Sequence, residues 1–486
     1  MTAIRQFIKK YKEMPVVARA SLWFVICGFM TRGVSLLTTP IFTRLLTTEQ
    51  YGVYSVFNSW LEIVTIFASL KLGYGVYIQG LVKFSDDQDR FSSSLLGLAS
   101  TWCGVAFVVY LLFHKVFNHL LGLDTPMMVC MFVMVISTVA LDFWSARKRN
   151  EFNYVTLVKV TMFIVVLKPL LGIIAVFLSD NAYKVEARIA TLALVEFAVG
   201  VVLYVQIMHR GREFYSRRYW KYALAFNLPL VPHFLSQVVL NHSDRIMIQK
   251  MVGASAAGVY SLAYSMAMIL SMINTSILQA LRPWVFQRIK ANEEEKIQPV
   301  VVSAILVVAV CNIMLISFAP ELVAIFAPGS YAGAIELMPP ITLAVLFAFL
   351  YNLFVDIEMY FEKTKSVMNI AIICAALNLI TNYFGIKWFG YSAAAYTTLI
   401  CYILMAALHY CSMEKMLRKN SVNKKIYDVK VIITISIVFI VVGAIMGALS
   451  GHLILRLIVI AIMALILYLN KNKFSQIISL VKNKRK

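Results

Sequence analysis

The sequence predicts an all-α integral membrane protein with about fourteen transmembrane helices. These helices would form two parallel six-helix lobes around a central cavity, followed by a C-terminal two-helix hairpin. Three observations predict this fold class: the apolar composition, the alternation of basic and non-basic connections, and an internal repeat.

The composition is that of a membrane protein. Sixty per cent of the 486 residues are apolar and only 14% are charged, whereas soluble domains average about 25% charged residues. The mean hydropathy is +0.78. These values exclude a soluble globular enzyme, a disordered chain and a secreted disulfide-rich scaffold. The seven cysteines lie in or beside apolar runs without metal-binding spacing, so we expect buried thiols and neither zinc nor disulfides.

Fourteen apolar runs are long enough to cross a bilayer, which takes about 20 residues in a helix. The first run is longer than a signal-peptide core and no small-residue cleavage site follows it, so we expect a retained helix. The predicted spans cover approximately residues 17–42, 51–78, 93–113, 125–143, 160–179, 188–207, 224–248, 257–281, 298–319, 334–355, 366–386, 391–409, 431–450 and 453–469.

Basic residues mark one side of the membrane. If the N-terminus lies inside, the inside connections carry 33 Lys and Arg residues and the outside connections carry five. Such an asymmetry is the positive-inside signal, and it predicts cytoplasmic N- and C-termini. It also accounts for the formal charge of +21 without a nucleic acid partner, because basic connections and a basic tail contact anionic lipid headgroups.

Two segments of the chain resemble each other. Arg44–Ser59 reads RLLTTEQYGVYSVFNS and Lys250–Ser265 reads KMVGASAAGVYSLAYS, with Gly-Val-Tyr-Ser in register at an offset of 206. The offset corresponds to six spans, so the halves enter the membrane in the same sense as parallel repeats; chance identity in a short Gly/Tyr-rich stretch is the alternative. The predicted divisions are the lobes 1–207 and 224–412, the basic linkers 208–223 and 413–430, the hairpin 431–470 and the basic cytoplasmic tail 471–486.

The seventh predicted span carries proline in its first half. Pro229 and Pro232 each remove a backbone donor, and in lipid the freed carbonyls need partners or a wet cavity. Transporters built from repeats place substrate and ion sites beside broken helices near the midplane. We therefore expect this span to take part in gating or ion coupling.

Two stretches carry a family resemblance. TTPIFTRLLTTEQYGVYSVFNSW (Thr38–Trp60) resembles the first-helix motif of the bacterial polysaccharide-unit flippases, and NHSDRIMIQKMVGASAAGVYSLAYS (Asn241–Ser265) is similar to their seventh-helix motif. These Wzx-type flippases of O-antigen and capsule repeat units belong to the multidrug/oligosaccharidyl-lipid/polysaccharide (MOP) superfamily, together with the MATE exporters. The resemblance is specific in sequence over these two stretches, and in topology it covers the whole chain.

The resemblance implies a substrate and a mechanism. The substrate would be a short oligosaccharide on undecaprenyl pyrophosphate, moved from the inner to the outer leaflet of a bacterial cytoplasmic membrane by alternating access. The resemblance also implies Na+ or H+ as a coupling ion and no other cofactor. Further partners would be membrane lipids and a polysaccharide polymerase with its chain-length machinery. It implies no enzymatic activity.

Four ionisable residues of the first half lie near the predicted midplane, where a charge costs about 2.5–3.5 kcal/mol on insertion scales. They are Arg32, Glu62, Lys168 and Glu196. In one interpretation, each cation neutralises the carboxylate of the next span. In the other, both cations bind the pyrophosphate and the carboxylates orient them, a role that suits the planar fork of arginine. Lys71, near the inner end of the second span, would meet the headgroup as it enters or extend to the interface.

The seventh span also carries adjacent charges. Asp244 and Arg245 are neighbours in sequence and therefore do not share a helix face. If Asp244 faces the cavity, Arg245 points toward the eighth span or the outer interface; a structural pair at a helix end is the alternative. His242 would be a proton sensor if it lines the cavity, and a packing histidine is the alternative.

Asp244 belongs to a candidate ion site as well. Asn378 and Asn382 share a face of the eleventh span, and Thr398 lies on the twelfth. The set is similar to the sodium site of the related lipid II flippases, with Asn382 in place of an Asp, so one negative charge is missing. Oxygen ligands remain for a hard cation, and helix-to-helix hydrogen bonds are the alternative.

Three other functions compete with the flippase. A multidrug exporter of the same superfamily would favour an acidic, cation-poor cavity, against which Arg32 and Lys168 argue. A polysaccharide polymerase or another membrane enzyme would carry catalytic groups in a sizeable outside loop, but the longest such loop spans only Pro320–Gly333, with Glu321 as its one carboxylate. Another lipid or solute transporter is the third. The sequence favours the flippase, which is not an enzyme.

Overall fold

The computed structural model describes residues 14–73, 75–419 and 426–469, which are almost entirely α-helical. The all-α fold class predicted from the sequence is therefore confirmed. The chain divides into two compact units, Met1–Val238 and Val239–Lys486. The predicted basic tail and part of the second predicted linker lie outside the described residues.

Within the described residues, the first unit holds nine helices and the start of a tenth, which continues into the second unit. They are α1 (Val16–Leu45), α2 (Thr48–Ser69), α3 (Val76–Lys83), α4 (Gln88–Leu112), α5 (His114–Leu121), α6 (Thr125–Asn150), α7 (Tyr154–Leu178), α8 (Lys184–Gly211), α9 (Arg217–Asn227) and α10 (Val231–Met251). The second unit continues with α11 (Ala254–Lys290), α12 (Ile297–Ser317), α13 (Ala319–Phe326), α14 (Ala334–Tyr360), α15 (Thr364–Phe389), α16 (Ala393–Lys419), α17 (Val429–Ala448) and α18 (Leu453–Leu469).

Twelve helical stretches of the described chain are long and apolar enough to cross a membrane. Two of the predicted spans are not among them. The helix α2 carries Asn58 and Glu62 between its apolar residues, and α18 has a shorter apolar stretch, Leu453–Leu465. The predicted count of fourteen transmembrane helices is thus close to the twelve found in the described chain, and the two additional spans stay a prediction.

The helix α2 begins at a capping box and ends at a left-handed turn. The Gln50 backbone N–H donates to the Thr47 hydroxyl at 3.2 Å, and the Thr47 N–H donates to the Gln50 side chain at 3.0 Å. At the other end, Leu70 and Lys71 have φ of 53° and 49°, which non-glycine residues adopt at a cost. The Asn227 amide donates to the Leu70 carbonyl and holds this turn. The predicted end of the second span at residue 78 is wrong, because the apolar run continues through a turn that is not helical.

The predicted break in the seventh span is confirmed. The apolar stretch Arg217–Met251 consists of α9, a 3-10 turn at Leu228–Leu230 that contains Pro229, and α10, whose second residue is Pro232. Proline is tolerated there because the first N–H groups of a helix have no partner within it. The role of the break in gating stays a prediction.

Aromatic contacts hold the helices of the first unit. Tyr77 of α3 stacks on Phe143 of α6 with ring centroids 4.3 Å apart. The guanidinium of Arg188 on α8 lies between two rings, 3.6 Å from the centroid of Phe42 and 3.4 Å from that of Tyr54. Such cation–π contacts on both faces stabilise the positive charge of a buried guanidinium. It fixes α1, α2 and α8, on which three of the predicted site residues lie.

The C-terminal helices pack on the second unit. A Cβ atom at Gly447 of α17 would come within 2.9 Å of Pro339 on α14, so only glycine allows this approach. The helix α18 is held by Arg456, which donates to the Ser317 carbonyl and to both oxygens of Glu321. The two final helices are therefore built into this unit through specific contacts.

Candidate functional site

One of the two predicted ion pairs of the first unit is formed. Lys168 lies on α7 and donates through Nζ to Oε1 of Glu196 on α8. The Thr138 hydroxyl donates to the other oxygen of Glu196 at 3.4 Å. The side chains of Lys168 and Glu196 are 25% and 13% exposed. The pair neutralises both charges in the middle of apolar helices, where an isolated charge would be costly.

Glu62 pairs with Lys71 and not with Arg32. The distance between Glu62 Oε2 and Lys71 Nζ is 3.6 Å, and both side chains are partly exposed. The turn that ends α2 folds Lys71 back beside Glu62, so the neutralising pair Arg32–Glu62 considered from the sequence is wrong. Asp142 of α6 lies within electrostatic range of both Glu62 and Lys71. The first unit therefore brings Glu62, Lys71 and Asp142 near one another.

Arg32 is exposed, and it forms no ion pair or hydrogen bond within the described part of the chain. It lies in the apolar stretch Leu22–Leu45 of α1. At a rise of 1.5 Å per residue, it is about 15–20 Å from either end of that stretch. The helix α1 packs against α7, which carries Lys168. Arg32 is thus a cation without a carboxylate partner at the depth of a membrane centre.

The four predicted ion-site residues of the second unit lie together. Asp244 on α10 is 1% exposed, and its Oδ1 accepts from the Asn382 amide at 2.6 Å. Its Oδ2 accepts from the Tyr260 hydroxyl at 2.6 Å and from the Thr398 hydroxyl at 3.0 Å. The Asn378 amide in turn donates to the Thr398 oxygen at 3.2 Å. One buried carboxylate therefore joins α10, α11, α15 and α16.

The donors of this cluster satisfy the Asp244 carboxylate without an ion. The amide nitrogen of Asn382 faces Asp244, so that side chain acts as a donor and not as a cation ligand. A hard cation would need amide oxygens turned toward the carboxylate. The described residues contain no group of three or more His, Cys, Asp or Glu that could hold a metal ion. As the amides are oriented, the cluster is a set of hydrogen-bond donors around one carboxylate.

Arg245 points away from Asp244, as their adjacency predicts. Its guanidinium lies 4.2 Å from the ring centroid of Tyr264 on α11, which is the eighth predicted span. Its Nη1 donates to the Asn241 carbonyl at 3.0 Å and lies 3.4 Å from Nδ1 of His242. His242 thus packs beside a buried cation, and a role as proton sensor stays a prediction.

Two features of the second unit are not apparent from the sequence alone. The first is the hydrogen bond from Tyr260 to Asp244. Tyr260 is the tyrosine of the repeated Gly-Val-Tyr-Ser segment, so the repeat is the sequence feature that could have indicated its importance. Glu358 on α14 and His409 on α16 form a fully buried pair, with 2.6 Å between Oε2 and Nδ1. The signal for that pair is an acidic residue and a histidine near the ends of two otherwise apolar spans.

Comparison with known families identifies two similar models. The family model described as "Polysaccharide biosynthesis protein" matches residues 17–289, which is more than half of the chain. The MatE family model matches residues 229–384. No curated protein matches the chain in sequence.

Solved structures with the same fold cover most of the chain. One is a multidrug resistance MATE family transporter of the MOP superfamily in an inward-facing conformation. It is 12% identical to this chain with a TM-score of 0.64, and the alignment covers 81% of this chain and 96% of the transporter. Another is the lipid II flippase MurJ in an inward closed conformation, which is 13% identical with a TM-score of 0.65. That alignment covers 90% of this chain and 100% of the MurJ chain. A third is a MOP superfamily transporter from Pyrococcus furiosus, which is 15% identical with a TM-score of 0.55. The alignment covers 84% of this chain and 97% of that transporter. At this identity the similarity shows the MATE- and lipid-flippase-like fold.

Proposed function

The chain belongs to the polysaccharide biosynthesis protein family, and we propose that it is a flippase for a lipid-linked oligosaccharide. The substrate is an oligosaccharide unit on undecaprenyl pyrophosphate, carried from the inner to the outer leaflet of a bacterial cytoplasmic membrane by alternating access. A polysaccharide polymerase and its chain-length machinery act on the product. The fold shared with the lipid II flippase MurJ supports a lipid-linked substrate.

The observation that carries this proposal is Arg32. It is an exposed cation with no ion pair among the described residues, in the middle of an apolar stretch. A charge at that depth needs an opposite charge or water. A pyrophosphate supplies the opposite charge, and a guanidinium binds two phosphate oxygens at once. The polyprenyl tail of the same substrate remains in the lipid.

Lys168 supports the same site in a different way. Its ammonium is already bound to Glu196, so it is neutralised while no substrate is present. A diphosphate that reached it would replace the carboxylate, and the Thr138 hydroxyl would remain as a donor to Glu196. Glu62 and Lys71 lie in the same unit and are only partly buried. In this proposal Glu196 holds Lys168 and Glu62 holds Lys71 in place between transport cycles.

The test begins with a strain that lacks the gene. We expect complete undecaprenyl-pyrophosphate-linked units to accumulate on the inner leaflet, which is measured by leaflet-selective labelling of the lipid-linked sugar. Units on the outer leaflet without polymer would indicate a polymerase instead. An unchanged pool would contradict the flippase.

Complementation of that strain tests Arg32 directly. We expect Arg32→Ala and Arg32→Gln to reduce exported polysaccharide about tenfold or more, equivalent to about 1.4 kcal/mol, and Arg32→Lys to retain part of it. The matched control is Lys159→Ala, an exposed cation near the start of α7. Normal export with Arg32→Ala at a normal protein level would exclude a role in pyrophosphate binding.

The coupling ion of the proposed flippase is Na+ or H+, and the Asp244 cluster is its proposed site. The support is a single buried carboxylate beside the Thr398 hydroxyl and the side-chain amides of Asn378 and Asn382, whose oxygens would turn toward the ion. Export that depends on a sodium gradient in the parent strain and not in Asp244→Asn would support sodium. Export that is insensitive to sodium would favour the proton as the coupling ion.

The second candidate is a multidrug exporter of the MOP superfamily. The match of residues 229–384 to the MatE model and the similarity to a MATE transporter favour it. The phenotype of the deletion strain distinguishes the exporter from the flippase. Increased susceptibility to cationic drugs with an unchanged pool of lipid-linked sugar would favour the exporter, and the reverse result would favour the flippase.

A further inference from the structure

A polar recess lies at one end of the helices of the first unit. It opens among α3, α4, α6 and α8, and its polar wall consists of Asp89 on α4, Arg147 and Lys148 on α6, and Gln206 and Arg210 on α8. The basic connections assign these helix ends to the cytoplasmic side. None of the residues proposed for pyrophosphate binding lines the recess, so it is a separate feature of this unit.

Carboxylates hold two of the three cations of the recess in place. The Nη1 atom of Arg147 lies 3.0 Å from Oδ1 of Asp89, and its Nε donates to Oε1 of Glu151 at 2.7 Å. Lys148 donates through Nζ to Oε2 of the same Glu151 at 2.6 Å. The Arg147 and Lys148 side chains are only 17% and 10% exposed. Together with Arg210, three cations face two carboxylates, so the recess keeps a net positive charge.

Three donors of the recess have no partner in the part of the chain that the structure describes. The Arg210 guanidinium is exposed, and the Gln206 amide is half-buried. Trp144 is 5% exposed, and its indole N–H also lacks a hydrogen bond to any described residue. A buried N–H group needs an acceptor from the protein, from water or from a ligand. Donors without acceptors beside a net positive charge fit an anion that carries oxygen atoms.

The cationic end of α6 is not a general consequence of membrane topology. Its last turn carries three basic residues, Arg147, Lys148 and Arg149. The helix α14 contains the predicted span six places after that of α6 and ends on the same predicted side, but its last turn contains no basic residue. It carries Asp356 and Glu358 near its end instead. Because the positive-inside signal would act on both helices alike, the charge at the end of α6 indicates a local function.

One face of α8 joins the recess to the apolar surface of that helix. Val202, Gln206 and Arg210 follow one another one helical turn apart and therefore lie on one face. Val202 is 65% exposed, and its neighbour Val205 is 58% exposed. The face thus changes from apolar to cationic toward the end of the helix. This order matches a phospholipid, whose acyl chains lie in the bilayer and whose phosphate lies at the bilayer surface.

We propose that the recess binds the phosphodiester headgroup of an anionic phospholipid of the inner leaflet, with Arg210 as the residue that contacts the phosphate. Gln206 and Trp144 supply further donors, and the two paired cations of α6 maintain the positive potential. The acyl chains lie along the face of α8 that carries Val202. Basic pockets between the cytoplasmic ends of membrane helices are suited to such headgroups. The lipid is a bound component of the first unit, and its binding does not depend on what the protein transports.

The experiment is native mass spectrometry of the full-length protein, delipidated in detergent and titrated with phosphatidylglycerol or with zwitterionic phosphatidylcholine. We expect one phosphatidylglycerol to bind more tightly than phosphatidylcholine. Arg210→Ala should weaken this binding by about fivefold, and Arg210→Lys should retain part of it. The matched control is Arg149→Ala, an exposed cation of α6 that does not line the recess. It should leave the affinity unchanged.

A second variant tests the recess without changing its charge. Gln206→Leu removes an amide donor and retains a helix-forming residue, so we expect it to weaken phosphatidylglycerol binding while the unfolding temperature without lipid stays that of the parent. Equal affinities in the parent, Arg210→Ala and Gln206→Leu would overturn the proposal. An equal loss in Arg149→Ala and Arg210→Ala would also overturn it, because the lipid would then respond to the basic surface as a whole.

Two competitors identify the source of the phosphate. Glycerophosphoglycerol is the same headgroup without acyl chains, and we expect that it does not displace phosphatidylglycerol. Displacement by this soluble compound at equal concentration would overturn a lipid as the ligand. Undecaprenyl pyrophosphate that displaces phosphatidylglycerol from the parent, with binding that requires Arg210, would assign the recess to the proposed substrate and overturn the phospholipid. The pool of lipid-linked sugar in the deletion strain tests the flippase separately, so either proposal can fail alone.

Discussion

Arg456 on α18 donates to both oxygens of Glu321 on α13, at 2.8 and 2.7 Å. It also donates to the carbonyl of Ser317 at the end of α12. The Arg456 side chain is 3% exposed and that of Glu321 is 38% exposed. A planar guanidinium that meets a carboxylate with two parallel bonds is both directional and strong. This contact ties the last helix to the remainder of the second unit.

The contact predicts a pH dependence. The hydrogen bonds from Arg456 lower the pKa of the Glu321 carboxyl, which lies between two membrane-spanning stretches. A carboxyl whose pKa is lower in the folded state stabilises that state above its unfolded pKa, about 4.3, and this contribution is lost as the pH falls through the folded value. We expect Glu321→Gln to unfold at a lower temperature than the parent at neutral pH. The difference should disappear at pH values well below about 4.

Thermal unfolding of both proteins in detergent at several pH values measures this difference. Because Glu321 is more than a third exposed, solvent screening makes the effect modest, about 1 kcal/mol at neutral pH. A gap between parent and variant that is equally large at the lowest pH would contradict the ionic origin.

The glycines of the C-terminal helices predict a sharp difference between two substitutions. A Cβ atom at Gly447 would lie 2.9 Å from Pro339, whereas at Gly451 nothing lies within 4 Å. We expect Gly447→Ala to destabilise the protein by about 1–3 kcal/mol, because α17 must move away from α14. Gly451→Ala is the matched control and should be near neutral. Equal unfolding temperatures for the two variants would show that α17 does not pack closely on α14.

The internal repeat supplies a matched pair of tyrosines. The hydroxyl of Tyr260 donates to buried Asp244 at 2.6 Å, whereas Tyr54 contacts Arg188 through its ring. We expect Tyr260→Phe to cost about 1.5–3 kcal/mol of unfolding free energy, since it removes a hydrogen bond to a buried charge. Tyr54→Phe keeps the ring and should change stability by less than about 0.5 kcal/mol. Denaturation of the two purified variants compares them, and equal losses would argue against a charged Asp244.

Exchange of Lys168 and Glu196 separates the two interpretations of this pair. We expect Lys168→Ala to lower the protein level, because it leaves Glu196 as an uncompensated charge among apolar helices. The double variant Lys168→Glu with Glu196→Lys restores opposite charges and should restore the level. If Lys168 also binds the pyrophosphate, export stays low in the double variant. Recovery of both level and export would show that the pair is structural.

The sequence alone predicts the membrane class, the break at Pro229 and the separation of Asp244 from Arg245. These features depend on local properties: hydropathy over about 20 residues, the missing N–H of proline, and the rotation of 100° between neighbours on a helix. The spacing of Asn378 and Asn382 likewise places both on one helix face, and the structure brings them to Asp244. The predicted ion role of that cluster remains to be tested.

The tertiary structure alone decides which ionisable groups meet. Depth in the membrane suggested Arg32 as the partner of Glu62, but a left-handed turn at Leu70 folds Lys71 beside that carboxylate and leaves Arg32 without one. The pairing of Glu358 with His409 joins residues 51 positions apart through the packing of α14 and α16. Hydropathy fixes how deep a residue lies along its own helix, whereas its partner depends on the rotation and packing of neighbouring helices. A one-dimensional pattern does not contain that information, because in an apolar environment many helix arrangements bury similar area and only specific contacts distinguish them.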